Sequence, residues 1–525
     1  MILGDPALAS AQPAPGSIRV TIDEVFRRLV QRRPDAVALV DPANRESFTD
    51  GRPRRLTYAE VDRMVTAIAS RLRRMGLPTD AFVGIQLPNV VETVLTMLGV
   101  LRAGMIAAPM PLLWRRADAV AALARIGAKA LITCGRVGAF NHAQFAMRLA
   151  AEVFSIRYVC AFGRNLPDGV VPFDDLFAVE ASEPIPPLER QGHAAAHLAA
   201  VTFDVGDGGV VPVARNHSEL LAGGLAVLLE GRMAQDGSII STLAPASFAG
   251  ICLTVLPWLL TGSSLVLHHA FEPEIFLRQR REHRCGTLIL PAPLVFPLAD
   301  GNAFGGEEPL CVVAAWRAPE RLAASPAWRA APAALVDVPI FGEAAVIPAR
   351  RGPSGRPSPL PLGPMVAPRG SAGGVVLAEI FQTEVATVAL RGAIVPRRPF
   401  PPGIERSGLP YFRIGPGGVV DTGYMCRVDP QTEGLVVTAP PAGIAAVGGY
   451  RFALRNLQDV VGRVDGKAKL VALPDPLIGQ RLIGNTADRN AMQAALNAVG
   501  LNPLVVAAFH DRSARTVTLT PPVAE

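Results

Sequence analysis

Residues 201–217, VTFDVGDGGVVPVARNH, hold the densest set of groups suited to binding an anion. Gly206, Gly208 and Gly209 fall between an apolar run that predicts a strand over 198–205 and a helix beginning near Ser218. Glycines in such a turn let the backbone approach a phosphate and aim its N–H groups at it. A working phosphate loop usually adds hydroxyls and a lysine. This one carries Asp204 and Asp207, whose charges repel a bare triphosphate unless a cation bridges them. The two aspartates lack the alternating oxygen ligands of a calcium loop, so a solvated turn without metal is expected. Lysine stands only at 129, 467 and 469, leaving 48 of the 51 basic residues as arginine. His217 reads as a helix-start residue, and His268-His269 has no further ligand at metal spacing. No GxSxG elbow accompanies these histidines, which disfavours a serine hydrolase, and no catalytic residue is assigned.

Around this stretch the totals describe a globular chain of 525 residues, half of them hydrophobic, enough for roughly three or four structural units. The six cysteines, at 134, 160, 252, 285, 311 and 426, form no CxxC. That argues against a disulfide framework or metal cluster and for a reducing compartment, so a cytoplasmic location is expected. A net charge of +6 is small for this length, and pairs such as Arg54-Arg55 and Arg397-Arg398 read as solvated loops, so no nucleic-acid partner is expected. Residues 1–17 lack a basic and then apolar order and read as a disordered Ala/Pro tail. The most apolar region, 238–267, is broken by Pro245, Pro257 and Gly262, which suits buried strands and helices better than a membrane span.

The elements that must position the loop follow a βα rhythm. Thr57 and Glu60 form a capping box, Val61, Met64, Val65, Ile68, Leu72 and Met75 share a helical face, and Gly76 supplies the stop. Strands are predicted over 82–87, 105–108 and 130–134. Asn89 with Glu92 repeats the capping signature for a helix ending near Gly104, and a further helix runs to Ile126. Strands near 198, 239, 264, 287, 311 and 335 form a second such unit. Alternation of this kind implies parallel sheets. The proline- and glycine-rich stretch 350–372 marks a change to short strands. From about 442 the pattern predicts a compact α+β unit, strand-like at 470–473, helical at 490–499 and strand-like again at 504–509.

In order and spacing these segments resemble the adenylate-forming superfamily of acyl-CoA synthetases, peptide-synthetase adenylation domains and luciferases over nearly the whole chain. The resemblance rests on IDEVFRRLVQRRPDAVALVD (22–41), LTYAEVDRMVTAIASRLRRMGL, VGIQLPNVVETVLTMLGVLRAGMIAAPM (83–110) and the segment 244–293, with GRP at 355–357 and VGGYRF at 447–452. It implies an α/β fold: a large N-terminal domain over 18–438, made of two parallel βαβ subdomains (about 18–190 and 195–345) plus a small β-rich subdomain (346–438). A small α+β C-terminal domain over 439–525 follows, truncated at its catalytic-lysine end. It also implies carboxylate activation by ATP with Mg2+, then transfer of the acyl group to a thiol such as CoA, in which cationic groups neutralise charge at the α-phosphate.

The motif residues depart from that chemistry. The loop's lysine position falls on or near Val211. The aromatic-Gly-x-Thr-Glu motif reads FGEAA, keeping Phe341 and Gly342, with Ala345 at the metal-binding position and Glu343 two residues away. The Thr-Gly-Asp motif reads DTGYM, with Tyr424 in the ribose-binding position and Asp421 and Thr422 upstream. Pro440 replaces the hinge arginine, and Pro440-Pro441 fixes φ near −65° where the family's terminal domain swings. No lysine follows Lys469, although Arg512 and Arg515 offer charge nearby. Phe248, at a substrate-pocket histidine position, reads as a core or pocket-wall aromatic, and with Gly250 and Phe341 it is the candidate substrate pocket, in a region apolar enough for an acyl group. The expectation is a motif-degenerate member that binds an acyl or carboxylate molecule or a protein partner. The alternatives are an active divergent ligase using ATP/Mg2+ and CoA or an acyl-carrier protein, and a structural interaction protein. The expected nucleotide-site remnant comprises Asp204, Gly206, Asp207, Gly208, Gly209, Phe341, Gly342, Glu343, Asp421, Thr422 and Tyr424.

Overall fold

The structure, a computed structural model, describes residues 18–178, 184–305, 310–330, 332–367 and 375–510. The N-terminal tail and Arg512 and Arg515 lie outside the described residues. Two largely parallel sheets form the large domain. The first has the order 209–216, 198–206, 106–109, 82–85, 130–134, 158–162, 171–172. The second runs 345–346, 334–341, 311–316, 287–291, 238–241, 264–267, 37–40, 55–57, with 349–350 also on the strand Ala334–Phe341. A five-stranded antiparallel sheet spans 363–439, and a four-stranded sheet with helices Leu454–Val464, Arg489–Val499 and Pro503–Val506 forms the C-terminal domain. Among the described residues no helix is long and apolar enough to cross a membrane.

Local signals translate directly where the chain satisfies itself. The capping box at Thr57 and Glu60 starts the helix Tyr58–Arg74, and Gly76 follows it at φ 72°. The strand Ala130–Cys134 matches its predicted span. The second expected capping box does not form. Glu92 is drawn instead into a buried ion pair, and Asn89 donates to the carbonyls of Ser241 and His268 at 3.0 and 3.1 Å. The helix Val91–Arg102 is capped from a distance, its first N–H donating to Asp41 Oδ1 at 2.9 Å. Residues 504–509 are helical rather than strand-like, because Asn502 caps Leu504 and Pro503 supplies a helix-compatible φ at the first position.

The subdomain boundary near 190–195 does not follow the sheets. The strands Val37–Val40 and Arg55–Thr57 belong to the second sheet and Leu198–Gly206 to the first, so the chain crosses between them twice. Sequential periodicity cannot see such exchange, since strand pairing is decided by long-range register.

One ion cluster holds the crossing. Arg45 lies between Asp41 and Glu92, all three nearly inaccessible, with Nη2 donating to Glu92 Oε1 at 2.5 Å. Burial and the nearby Glu92 carboxylate push Asp41 up to about 7 despite the guanidinium beside it. Breaking a buried pair from one side leaves uncompensated charge at a cost of about 3–5 kcal/mol. Arg45→Met is accordingly expected to lower the unfolding free energy by about 3 kcal/mol or more at pH 8, read by urea unfolding, with part of the loss recovered near pH 5 as Asp41 protonates.

Candidate functional site

The stretch that reads as a strand-to-helix loop is a β-hairpin. Leu198–Gly206 pairs antiparallel with Gly209–Asn216 from Leu198 opposite Asn216 to Gly206 opposite Gly209. The helix then begins at His217, capped by Asn216 with Glu219 in a capping box. The run VVPVARN keeps enough β-branched character for a strand once it has a partner. Gly206, Asp207, Gly208 and Gly209 occupy the hairpin tip, where Asp207 and Gly208 are exposed. A Cβ on Gly208 would collide with Pro410, so the tip rests against the β-rich subdomain rather than forming an open cradle.

Asp204 is corrected more sharply. It is buried, not solvated, and pairs with Arg451 of the C-terminal domain while accepting the Glu343 N–H at 3.0 Å on Oδ2. Gly342, at φ 55°, is required here: a Cβ would strike the Arg451 guanidinium and lie 2.6 Å from Asp204 Oδ2. Glu343, also buried, accepts the Phe248 N–H at 2.8 Å. Burial, and then the Asp204 carboxylate, push Glu343 up to about 7. Arg317, at the end of the strand Cys311–Trp316, donates to Gly449 O at 3.3 Å and to Ser247 Oγ at 3.4 Å, and burial lowers its affinity for its proton. Tyr424 is 2% exposed, meets Phe341 edge-on with centroids 5.3 Å apart, and burial raises its phenol to about 12, leaving it neutral.

These groups surround a cavity of about 60 Å³ whose wall includes Asp204, Gly342, Glu343, Tyr424, Arg317 and Arg451. Of the expected site residues it gathers the first four. Gly206, Asp207, Gly208 and Gly209 remain at the hairpin tip outside the wall. Phe341 lies behind the wall in the core. Asp421 is exposed and accepts the Gly423 N–H of its own strand at 2.9 Å, and Thr422 donates to Val388 O on the neighbouring strand Thr387–Gly392 at 2.7 Å, so both serve the β-rich sheet. Phe248 and Gly250 are core residues rather than pocket wall. The Arg215 guanidinium stacks 3.8 Å over the Phe248 ring, and a Cβ on Gly250 would run into the Ala244 carbonyl. His217, buried at the helix start, accepts the Ile22 N–H at 3.2 Å on Nδ1.

Sequence reasoning missed Arg215, Arg317 and Arg451. Arg215 is fully buried and donates to Ile394 O at 2.7 Å, Glu343 O at 2.5 Å and Ala344 O at 2.8 Å, tying the hairpin to the turn that carries Glu343. An arginine ending the apolar run VVPVA was the signal available, since a charge is not buried without partners. The C-terminal domain closes the cavity from above, with Tyr450 Oη accepting the Leu113 N–H at 3.2 Å and Gly500 O accepting the Ala117 N–H at 3.0 Å. Arg451 carries the contact, its charge favoured by Asp204 against the cost of burial.

Known proteins share this architecture. An amide bond synthetase from Marinactinospora thermotolerans superposes with a TM-score of 0.69 at 17% identity, covering 93% of this chain and 94% of that one. An o-succinylbenzoate CoA synthetase from Bacillus subtilis gives 0.67 at 14% identity over 91% and 92%. In sequence, a bassianolide nonribosomal cyclodepsipeptide synthetase from Beauveria bassiana is 37% identical over 90 residues, 17% of this chain and 2% of that protein. The human long-chain fatty acid transport protein 1 is 30% identical over 176 residues, 33% of this chain and 25% of that protein. The matched segments thus span a quarter or less of these relatives' lengths. The family model described as AMP-binding enzyme matches residues 26–308, more than half the chain. The chain belongs to the AMP-binding enzyme family and has the adenylate-forming, acyl-CoA synthetase-like fold.

Proposed function

We propose that this chain is a non-adenylating member of its family, a binding or partner subunit for an acyl or carboxylate molecule or for another protein. One observation supports the reading: the cavity lined by Asp204, Gly342, Glu343 and Tyr424, residues that the family resemblance assigns to the nucleotide, is nearly filled by the protein's own groups. A cavity of about 60 Å³ is far below the roughly 300–1,000 Å³ of sites that enclose small organic ligands. The residues present do not fit ATP with Mg2+ in this arrangement. Asp204 is committed to Arg451 and to the Glu343 amide, Glu343 to the Phe248 amide, and Tyr424, at the position the family resemblance gives to the ribose-binding aspartate, lines the cavity with its phenol. Among the described residues no three His, Cys, Asp or Glu side chains gather as a metal site, and the lysines are Lys129, Lys467 and Lys469, none of which lines the cavity. A cytoplasmic setting, a reducing one for six buried free thiols, belongs to the same reading.

The active-ligase alternative draws on one feature. Arg317 and Arg451 bring two guanidiniums to the cavity wall, and release of Arg451 from Asp204 by domain rotation would expose both acidic and basic groups. ATP-dependent pyrophosphate exchange over a broad carboxylate panel separates the readings. Background exchange for every acid, with no thermal stabilisation by ATP and Mg2+, is expected; exchange well above background with any acid would overturn the non-adenylating reading.

The closed cavity also sets a pH dependence. Glu343 has its pKa raised to about 7 in the folded chain, so the native state binds the extra proton between the usual glutamate range and neutrality. Its contribution is fully present below pH 4.5 and is lost as pH rises through about 7. Glu343→Gln keeps an acceptor for the Phe248 N–H without the charge. Its melting temperature is expected to match the parent near pH 5 and to exceed it at pH 8. Asp204→Asn removes the charged partner of half-buried Arg451 and is expected to cost about 2–3 kcal/mol and to increase amide exchange across residues 444–453, read by mass spectrometry.

A further inference from the structure

A second crevice lies away from the nucleotide position, at the carboxyl ends of the strands of the first sheet. From the strand Phe82–Ile85 the chain moves to the neighbour Ile106–Pro109 on one side and then to Ala130–Cys134 on the other. Such a reversal leaves a gap between the connecting segments, the place where open α/β sheets take their ligands. Here the gap is a cavity of about 440 Å³, roofed by the 49–54 segment that connects two strands of the second sheet. It is thus larger than the cavity beside Asp204 and lies between the two halves of the large domain, a common location for ligand sites.

Its lining has two chemical characters. At the floor Glu92, 1% exposed, gives one oxygen to Arg45, while Oε2 has no hydrogen-bond partner. A buried carboxylate oxygen without a donor costs about 1–3 kcal/mol or more, so an unused acceptor lies buried at the crevice floor. At the rim stand Arg52, Arg54, Arg136 and Arg164. Arg136 is held by Asp50 at 2.6 Å, and Arg54 stacks 3.3 Å over Phe177 with Asp174 at 3.9 Å. Arg52, 87% exposed, meets Glu46 only at 3.8 Å, and Arg164 is exposed. Five lining arginines face three lining carboxylates, Asp50, Glu92 and Asp174, and because Arg45 is also paired with Asp41, the least neutralised cations are the exposed Arg52 and Arg164 at the rim. The donor to Glu92 Oε2 is best neutral, because the Arg45 and Arg54 guanidiniums already lie 2.5 and 3.8 Å from the other oxygen and would repel an ammonium.

We propose that this crevice binds a phosphorylated, hydroxyl-bearing small molecule, its hydroxyl donating to Glu92 Oε2 and its phosphate held at the rim by Arg52, Arg54 and Arg164. Arginine forks match phosphate oxygens in pairs, and a volume of about 440 Å³ accommodates a sugar phosphate or a nucleoside monophosphate. Because the site shares no lining residue with the cavity beside Asp204, its occupancy is independent of whether the chain adenylates.

Calorimetric titration of the full chain tests this with ribose 5-phosphate, adenosine 5′-monophosphate, inorganic phosphate and glycine as probes. Either phosphorylated sugar is expected to bind at least tenfold more tightly than inorganic phosphate. Tighter ribose 5-phosphate than nucleotide indicates a sugar-phosphate ligand and the reverse a nucleoside phosphate, each in support. The double variant Arg52→Glu/Arg164→Glu alters two exposed side chains and is expected to weaken binding at least tenfold with an unchanged melting temperature. Glu92→Gln, whose single amide oxygen stays with Arg45 and leaves an NH2 donor in place of Oε2, is expected to abolish the preference over inorganic phosphate, while Tyr424→Phe in the other cavity leaves all affinities unchanged. Lack of binding by any phosphate, equal affinity for inorganic phosphate, tighter binding of glycine, an unaffected rim variant, or loss of binding in Tyr424→Phe would each overturn the assignment.

Discussion

A carboxylate in a dry interface must find a cation or lose its charge, and Asp204 finds its cation on the other domain. The pairing with Arg451 sets much of what surrounds it. Residue 342 must be glycine for the guanidinium to pass, and the turn after Phe341 must present the Glu343 N–H to the second Asp204 oxygen. Glu343 is thereby fixed with its own carboxylate against the Phe248 amide, in a setting that favours the proton over the charge. Removal of Arg451 would undo an arrangement that reaches from the hairpin to the core of the second sheet.

The same solution recurs through the molecule, and arginine is suited to it. Arg102 bridges Asp23 at 2.9 Å and Asp62 at 2.6 Å. Arg351 pairs with Asp337 through two nitrogens at 2.7 and 3.1 Å, and Asp337 also accepts the Trp316 indole N–H at 2.8 Å. Arg45 joins Asp41 to Glu92, and Arg215 serves three carbonyls. A planar guanidinium with five fixed donors can satisfy several acceptors at once, which a lysine ammonium on a flexible stem cannot do in the same geometry. Arg45, Arg102 and Arg215 join segments distant in sequence, so polar contacts help the apolar core hold the sheets and domains in register.

Where each element depended on its own neighbours, the sequence was sufficient. The capping box at Thr57 and Glu60, the strand Ala130–Cys134, the shift to short strands after the proline-rich stretch and the α+β terminal unit were all legible, because turn chemistry and apolar period are properties of a few adjacent residues. The order of motifs carried the family, and the family carried the fold. Tertiary structure decided what lay between segments. It made 198–216 a hairpin, took Glu92 from its expected cap into an ion cluster, exchanged strands between the two sheets, and buried Asp204 against an arginine 247 residues away. A charged side chain in a glycine-rich stretch looks solvated until its partner is known, and no local period encodes a partner at that distance.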